Sequence, residues 1–200
     1  MQRKRKVNKI YFNKDLMKIS GGFYKYAWDP VEGCRHGCPY CYARKYLSDR
    51  GKDFDTPTFY EKRLIEPSLV KPCRIFVNHF SDIMGDFIPS GWIDKILEVI
   101  KSLPLHTFIF ITKNPKRYYD FDFTDNCILG VTCESPAQWE RVELMKGLRN
   151  RKMCSIEPLL GDFTGYDFSQ FEFVVIGDLI GKVDHKHYDT ILHSNKYFTR

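Results

Sequence analysis

Three cysteines within eight residues carry the plainest chemistry in this sequence: Cys34-Arg-His-Gly-Cys38-Pro-Tyr40-Cys41, spaced CxxxCxxC, with glycines at Gly33 and Gly37. Thiolates this close can turn onto one soft metal centre, and glycine lets the loop bend where a side chain would clash. Three thiols are one short of the usual four for an iron–sulfur cluster. A cluster held by three thiolates leaves one iron open to bind another group. Zinc is the rival metal, and a closed zinc site needs a fourth ligand. His36 lies inside the loop, His79 is the nearest alternative, and His185 and His187 are too far along. No second CxxC or HxxxH completes a finger.

The other chemically interesting residues follow short apolar runs. Strands are predicted at Phe23–Trp28, Arg74–Val77, Thr107–Ile111, Ile128–Val131, Lys152–Ile156 and Phe171–Ile176. Between them lie helical patterns. One covers Tyr42–Arg50; a second is capped by Ser90, with Trp92, Ile93, Ile96, Leu97 and Ile100 on one face; a short one opens near Pro115. Ser135-Pro136-Ala137-Gln138 reads as a capping box with proline at the first helical position, before a helix burying Trp139, Val142 and Met145. Six strands alternating with helices imply an α/β fold with a parallel sheet and right-handed crossovers. Ser81 and Asp82, Lys113, Glu134, Glu157 and Asp178 all fall just after strands. That is the side where barrel and α/β enzymes place their sites.

Two hundred residues suit one domain with a proper core. The net charge of +6 is concentrated: residues 1–25 carry eight Lys and Arg against Asp15 alone, so the rest of the chain sums to −1. The organisation expected is a basic arm over 1–22, the α/β body over 23–181, and a short polar extension over 182–200. A basic arm can bind nucleic acid, or be a solvated tail. The basic start lacks a following apolar h-region, and no apolar run approaches a membrane span. A reducing, cytoplasmic setting without membrane attachment follows, where clustered cysteines mean metal or catalysis more often than disulfides.

The Cys loop resembles the signature of the radical SAM superfamily, whose core is an open six-stranded parallel (β/α)6 partial TIM barrel. WDPVEGC, IFVNHFSD, FITKNPKR, GVTCES, SIEPLLG and VVIG, in that order over about residues 24–180, are similar to an uncharacterised phage-associated branch. The string GCRHGCPYCYAR also resembles spore photoproduct lyase relatives, which repair or modify DNA. The resemblance implies that Cys34, Cys38 and Cys41 ligate a 4Fe–4S cluster whose open iron takes S-adenosylmethionine. It implies that Tyr40 packs at the adenine, with Leu159 and Leu160 flanking it, and that Ser81 and Asp82 hold the methionine amino group. Ser81-Asp82 stands where Gly-Gly-Glu is common in the superfamily. Lys113 would meet the methionine carboxylate, a fit partner for an ammonium. Glu134 and Glu157 would hold ribose hydroxyls or touch substrate, or else cap a helix. Cys133 is a candidate hydrogen-atom donor to a substrate radical, or a buried structural thiol. The implied reaction is reductive cleavage of S-adenosylmethionine, driven by an external electron donor, to a 5′-deoxyadenosyl radical that abstracts hydrogen from the substrate.

Three functions compete. The first is a radical SAM enzyme acting on a nucleic acid or nucleobase-like substrate, supported by the basic arm and by the Lys113–Lys116–Arg117–Tyr118–Tyr119 string, which could meet phosphates and stack bases. The same string could equally be a solvated helix start with two packing tyrosines. The second is a peptide-modifying enzyme, for which few residues precede the Cys loop. The third is a degenerate or partner-dependent iron–sulfur module, because an open barrel exposes an edge and a mouth that a protein partner could complete.

Overall fold

The computed structural model describes the backbone of residues 9–12 and the whole of residues 23–177. The rest of the basic arm, Asp178 and the 182–200 extension lie outside the described residues. Nine strands are described: β1 (Lys9–Phe12), β2 (Tyr26–Trp28), β3 (Val31–Glu32), β4 (Thr58–Phe59), β5 (Arg74–Val77), β6 (Thr107–Thr112), β7 (Cys127–Thr132), β8 (Arg151–Ile156) and β9 (Phe173–Ile176). Three α-helices join them: α1 (Tyr42–Ser48), α2 (Ser90–Ser102) and α3 (Trp139–Leu144). Short 3-10 segments cover Glu61–Leu69, Pro115–Asp120, Pro136–Gln138 and Met145–Gly147.

The main sheet runs β1-β9-β8-β7-β6-β5-β2, and every pairing in it is parallel. The six strands from β2 to β9 are those the sequence predicts, in sequence order. β1 is an addition, paired along β9 from Lys9 opposite Phe173 to Phe12 opposite Ile176. All six residues of β7 are buried, as an apolar strand covered on both faces requires. Gly130 sits at its centre because an added Cβ would collide with the Phe110 carbonyl oxygen and the Met153 sulfur.

Side chains alternate between two apolar layers, following the two-residue period of a strand. One layer, with Ile75, Phe108, Leu129 and Val174, packs beneath Ile93, Ile96 and Ile100 of α2 and Val142 of α3. The other is the concave face, with Phe23, Ile109, Ile128, Met153, Phe173 and Val175. The Phe23 ring, beside β2, lies 5.9 Å from the Phe173 ring in β9. In a flat sheet, five interstrand steps of about 4.8 Å would hold β2 and β9 about 24 Å apart. The sheet therefore curls into an open partial barrel, and its strand C-termini form the mouth.

Of the two helix caps read in the sequence, one is corrected and the other is present. Helix α2 is preceded by Pro89, and Ser90 makes no side-chain cap; its hydroxyl instead faces the Arg117 guanidinium at 3.4 Å. The Ser135–Gln138 capping box is present: the Ser135 N–H donates to Gln138 Oε1 at 3.1 Å.

Candidate functional site

The Cys loop is seated from below by β3 and β4. Glu32, almost fully buried, accepts from Lys52, from the Arg63 guanidinium at 2.8 Å and from Tyr60 at 3.0 Å. Burial alone would raise its pKa, but those partners together hold it below the usual range. Gly33 follows with φ +100°, and a Cβ there would stand 2.9 Å from Pro57 Cα and 3.0 Å from the Phe54 and Thr56 carbonyl oxygens. This is a position only glycine fills without strain. The Gly33 and Cys34 N–H groups donate to Phe80 and Phe54 carbonyls, and the Ser81 hydroxyl donates to the Gly33 carbonyl at 2.5 Å. Ser81 thus fixes the loop's entry.

Cys34 and Cys41 pack against Ala43, Leu47 and Phe54, while Cys41 caps α1, its sulfur accepting from the Arg44 N–H at 3.4 Å. All three loop cysteines are unbridged and partly exposed, and burial pushes the Cys34 thiol up to about 11. Among the described residues, no three His, Cys, Asp or Glu side chains are gathered into a metal site. The donor set nonetheless fits a soft centre: three thiols on one loop that turns at Gly37 (φ +68°), where no other atom crowds the backbone. The nearest histidines are engaged elsewhere, His36 with Asp82 and His79 with Tyr24. Neither stands ready as a fourth ligand for zinc.

Two carboxylates at strand ends tie this loop to the sheet. Asp82, after β5, is buried. It meets His36 Nε2 at 2.8 Å, and accepts from the Thr112 hydroxyl at 2.9 Å, the Lys113 N–H at 2.8 Å and the Met84 N–H at 3.1 Å. Burial would raise its pKa; His36, the Lys113 N–H and Thr112 outweigh that and lower it. Glu134, after β7, accepts from both the Tyr40 hydroxyl and the Lys113 ammonium on one oxygen, and from Arg141 at 2.9 Å on the other. Burial again opposes ionisation, and Lys113 with Tyr40 overcomes it, so the carboxyl titrates below its ordinary value. Burial and the adjacent Glu134 push the Tyr40 phenol well above the usual tyrosine range. At neutral pH the group therefore holds an ionised Glu134 and a protonated Tyr40. The Lys113 ammonium also sits 5.5 Å from the centre of the Tyr40 ring.

Of the residues the sequence singles out, Cys34, Cys38, Cys41, Tyr40, Ser81, Asp82, Lys113 and Glu134 thus converge on the barrel mouth. Glu157 stands after β8, beside the β7 strand that Glu134 follows, and accepts from Ser155 at 2.9 Å. Leu160 is half-exposed, and its N–H donates to the Glu134 carbonyl at 2.8 Å, which brings the loop after β8 alongside. Cys133 points the other way. It is fully buried in the layer beneath the helices, its thiol 3.4 Å from the Ser135 carbonyl and pushed up to about 12 by burial. The string after β6 is structural: Tyr118 is buried and donates to the Gly130 carbonyl, Tyr119 donates to the Leu144 carbonyl, and Arg117 donates to the Gly85 and Ile88 carbonyls. Tyr118 and Arg117 are thus committed to packing, while Lys116 is exposed and Tyr119 half-exposed. Sequence reading missed Arg141, whose only signal was its seven-residue spacing from Glu134, and weighed His36 as a zinc ligand rather than as the partner of Asp82.

A family model described as "Protein of unknown function (DUF5131)" matches residues 20–189. No curated protein matches the chain. Among solved structures, spore photoproduct lyase complexed with dinucleoside spore photoproduct is similar, with a TM-score of 0.53 and 16 % identity over 76 % of this chain and 51 % of that one. A mutant of spore photoproduct lyase with dinucleoside spore photoproduct gives a TM-score of 0.53 and 15 % identity, over 70 % and 47 %. The chain spans about half the length of these structures. At identities this low the likeness shows a shared fold alone.

Proposed function

We propose, for a chain that belongs to the family described as "Protein of unknown function (DUF5131)", the activity of a radical SAM enzyme on a nucleic acid or nucleobase-like substrate. One observation carries this reading: a CxxxCxxC loop is seated at the C-terminal mouth of an open parallel barrel, with its Tyr40 bonded to a strand-end glutamate and lysine. Cys34, Cys38 and Cys41 would hold a 4Fe–4S cluster, and the strand ends would hold S-adenosylmethionine. When bound, those groups supply one-electron reductive cleavage of the sulfonium, fed by an external electron donor.

The chain's own residues bind and orient. Lys113 offers a cation for the carboxylate of the cofactor, and ionised Glu134 offers acceptor oxygens for hydroxyls, with Arg141 holding it in place. Protonated Tyr40 closes the loop over that pair. Asp82 is bound to His36 and to the end of β6, so in this reading it positions the Cys loop; contact with a cofactor amino group would require it to give up one of those partners. Cys133 is not used, because it faces the helical layer. The substrate class draws support from the dinucleoside photoproduct named with the two similar structures and from the basic start of the chain. Among the described residues no helix is long and apolar enough to cross a membrane, and an iron–sulfur protein suits the reducing cytoplasm.

A second reading, a module that needs a protein partner, draws on the open parallel sheet, whose mouth and edge a partner could complete. One experiment separates the two. The protein is reconstituted anaerobically with iron and sulfide, reduced in the presence of S-adenosylmethionine, and assayed for 5′-deoxyadenosine. The enzyme reading expects product that disappears in Cys34→Ala, Cys38→Ala and Cys41→Ala variants. A cluster without product favours the module, and bound zinc with no obtainable cluster overturns both.

A further inference from the structure

The loop that carries the three cysteines is held unevenly along its length. Cys34 and Cys41 stand on fixed backbone. The Cys34 N–H donates to the Phe54 carbonyl at 2.8 Å, and Cys41 is the N-cap of α1. Cys38 stands on a turn. Its carbonyl accepts from the Cys41 N–H at 3.2 Å, and Pro39 stiffens the chain on that side. On the other side is Gly37, with φ +68° and nothing within 4 Å of where a Cβ would be. A glycine in open space imposes no conformation of its own. The direction in which Cys38 meets its two neighbours is therefore set across Gly37, by whatever holds His36.

His36 is held by Asp82, its Nε2 lying 2.8 Å from Oδ2. The same oxygen accepts from the Thr112 hydroxyl at 2.9 Å and the Lys113 N–H at 2.8 Å, while Oδ1 accepts from the Met84 N–H at 3.1 Å. These donors come from the end of β6 and the loop after β5, so the carboxylate is fixed by the body of the protein and not by the cysteine loop. An oxygen that receives hydroxyl and amide donors is an acceptor, so the ring nitrogen donates in the bond to His36. The His36 ring also meets Phe87 edge-on, with centroids 5.3 Å apart. Beyond Cys38, Tyr40 makes the matching bond to Glu134, which Arg141 holds from outside the loop at 2.9 Å. Two strand-end carboxylates thus anchor the loop on either side of Cys38.

The three sulfurs are not gathered in this structure, so taking up a metal needs a last closure of the loop. Gly37 is where the chain can make it. We propose that His36 is a positioning residue for Cys38: anchored on Asp82, it fixes the far side of the Gly37 pivot, so that the third thiolate closes onto Cys34 and Cys41. His36 supplies no ligand in this arrangement. Residues that orient metal ligands through hydrogen bonds govern metal affinity although they never touch the metal. The proposal rests on the three-thiolate reading above, and on neither the cofactor nor the substrate.

The test titrates the full chain, metal-free, reduced and anaerobic, with cobalt(II), whose thiolate charge-transfer and ligand-field bands report what binds it. His36→Ala is expected to bind cobalt about tenfold more weakly, with the same bands at saturation. His36→Gln, whose side-chain amide reaches as far as Nε2 and donates, should recover most of the affinity. His36→Asn, one methylene shorter, should not. In a Cys38→Ala background, His36→Ala should cost little more, because the residue it orients is gone. Urea midpoints are measured alongside, and if His36→Ala does not fold, the Gln and Asn variants decide. Unchanged affinity in His36→Ala, a Gln variant no better than Asn, or fully additive losses with Cys38→Ala would each overturn the proposal. Ligand-field bands that shift when His36 is replaced would overturn it by making His36 a ligand. A natural chain without any thiolate band would overturn it together with the three-thiolate reading. Formation of 5′-deoxyadenosine by the iron-loaded protein is assayed separately: its absence beside the expected cobalt affinities defeats the radical SAM reading alone.

Discussion

At the scale of single residues, the decisive group is Glu134, a buried carboxylate shared by Tyr40, Lys113 and Arg141. Its folded-state pKa is lowered. Its contribution to stability is therefore present above the ordinary glutamate value of about 4.3 and is lost as pH falls through the lowered folded value. Glu134→Gln should destabilise the protein at pH 7 by on the order of 2 kcal/mol. That is less than the ~3–5 kcal/mol for a fully buried pair, because Lys113 and Arg141 retain contact with water. The gap between natural and variant unfolding curves should close as pH falls from about 4.3 through the lowered folded value. A gap of constant size across that range, measured by urea titration at each pH, would show that Glu134 does not titrate as described. Asp82 and Glu32 are lowered in the same direction, so only the difference between the two proteins isolates Glu134.

At the scale of elements, two devices hold the strand ends in place. The capping box at Ser135–Gln138 starts the segment that carries Arg141 back to Glu134. Ser135→Ala should cost about 1 kcal/mol, read as a lower urea midpoint; if Gln138→Ala alone reproduces no part of the loss, the reciprocal pairing is not the cause. Gly130 lets β6, β7 and β8 approach at the centre of the sheet. Gly130→Ala should cost about 1–3 kcal/mol through overpacking, because the nearest obstacle is the Phe110 backbone oxygen and cannot swing aside. A midpoint equal to that of the natural chain would mean the sheet adjusts there freely. Most of these elements were legible in the sequence. The predicted and observed strands agree to within three residues at either end, because a parallel strand buried on both faces is a continuous apolar run. Ser90 misled for a physical reason: Pro89 takes the N-cap position, which leaves Ser90 as the first helical residue, and the serine hydroxyl is drawn to Arg117.

For the whole molecule, the strand order leaves β9 as the last of the six sequential strands, and β1 lies along it in parallel. An unpaired strand edge invites association with other chains, and this pairing covers the β9 edge. Ile10→Pro removes a backbone donor from β1 and should disrupt the pairing. Backbone amides of Phe173–Ile176 that face β1 are then expected to exchange with solvent at least tenfold faster. Unchanged protection factors would mean that β1 does not shield β9.

The sequence by itself determined the donor set and the order of parts. The spacing of Cys34, Cys38 and Cys41, the six apolar runs, and the placing of Asp82, Lys113, Glu134 and Glu157 after them are all local features, and local features are written in consecutive residues. Tertiary structure alone decided which of those residues meet. Tyr40 reaches Glu134 across 94 residues of chain, and Tyr24 reaches His79 across 55. Neighbours in sequence can also be separated: Cys133 and Glu134 differ by one position, and the two-residue period of extended chain sends one beneath the helices and the other to the cysteine loop. Partnership between carboxylate and cation is set by how far the sheet curls and how the loops fold over its mouth. Those are sums of many long-range contacts, and no short stretch of sequence contains them.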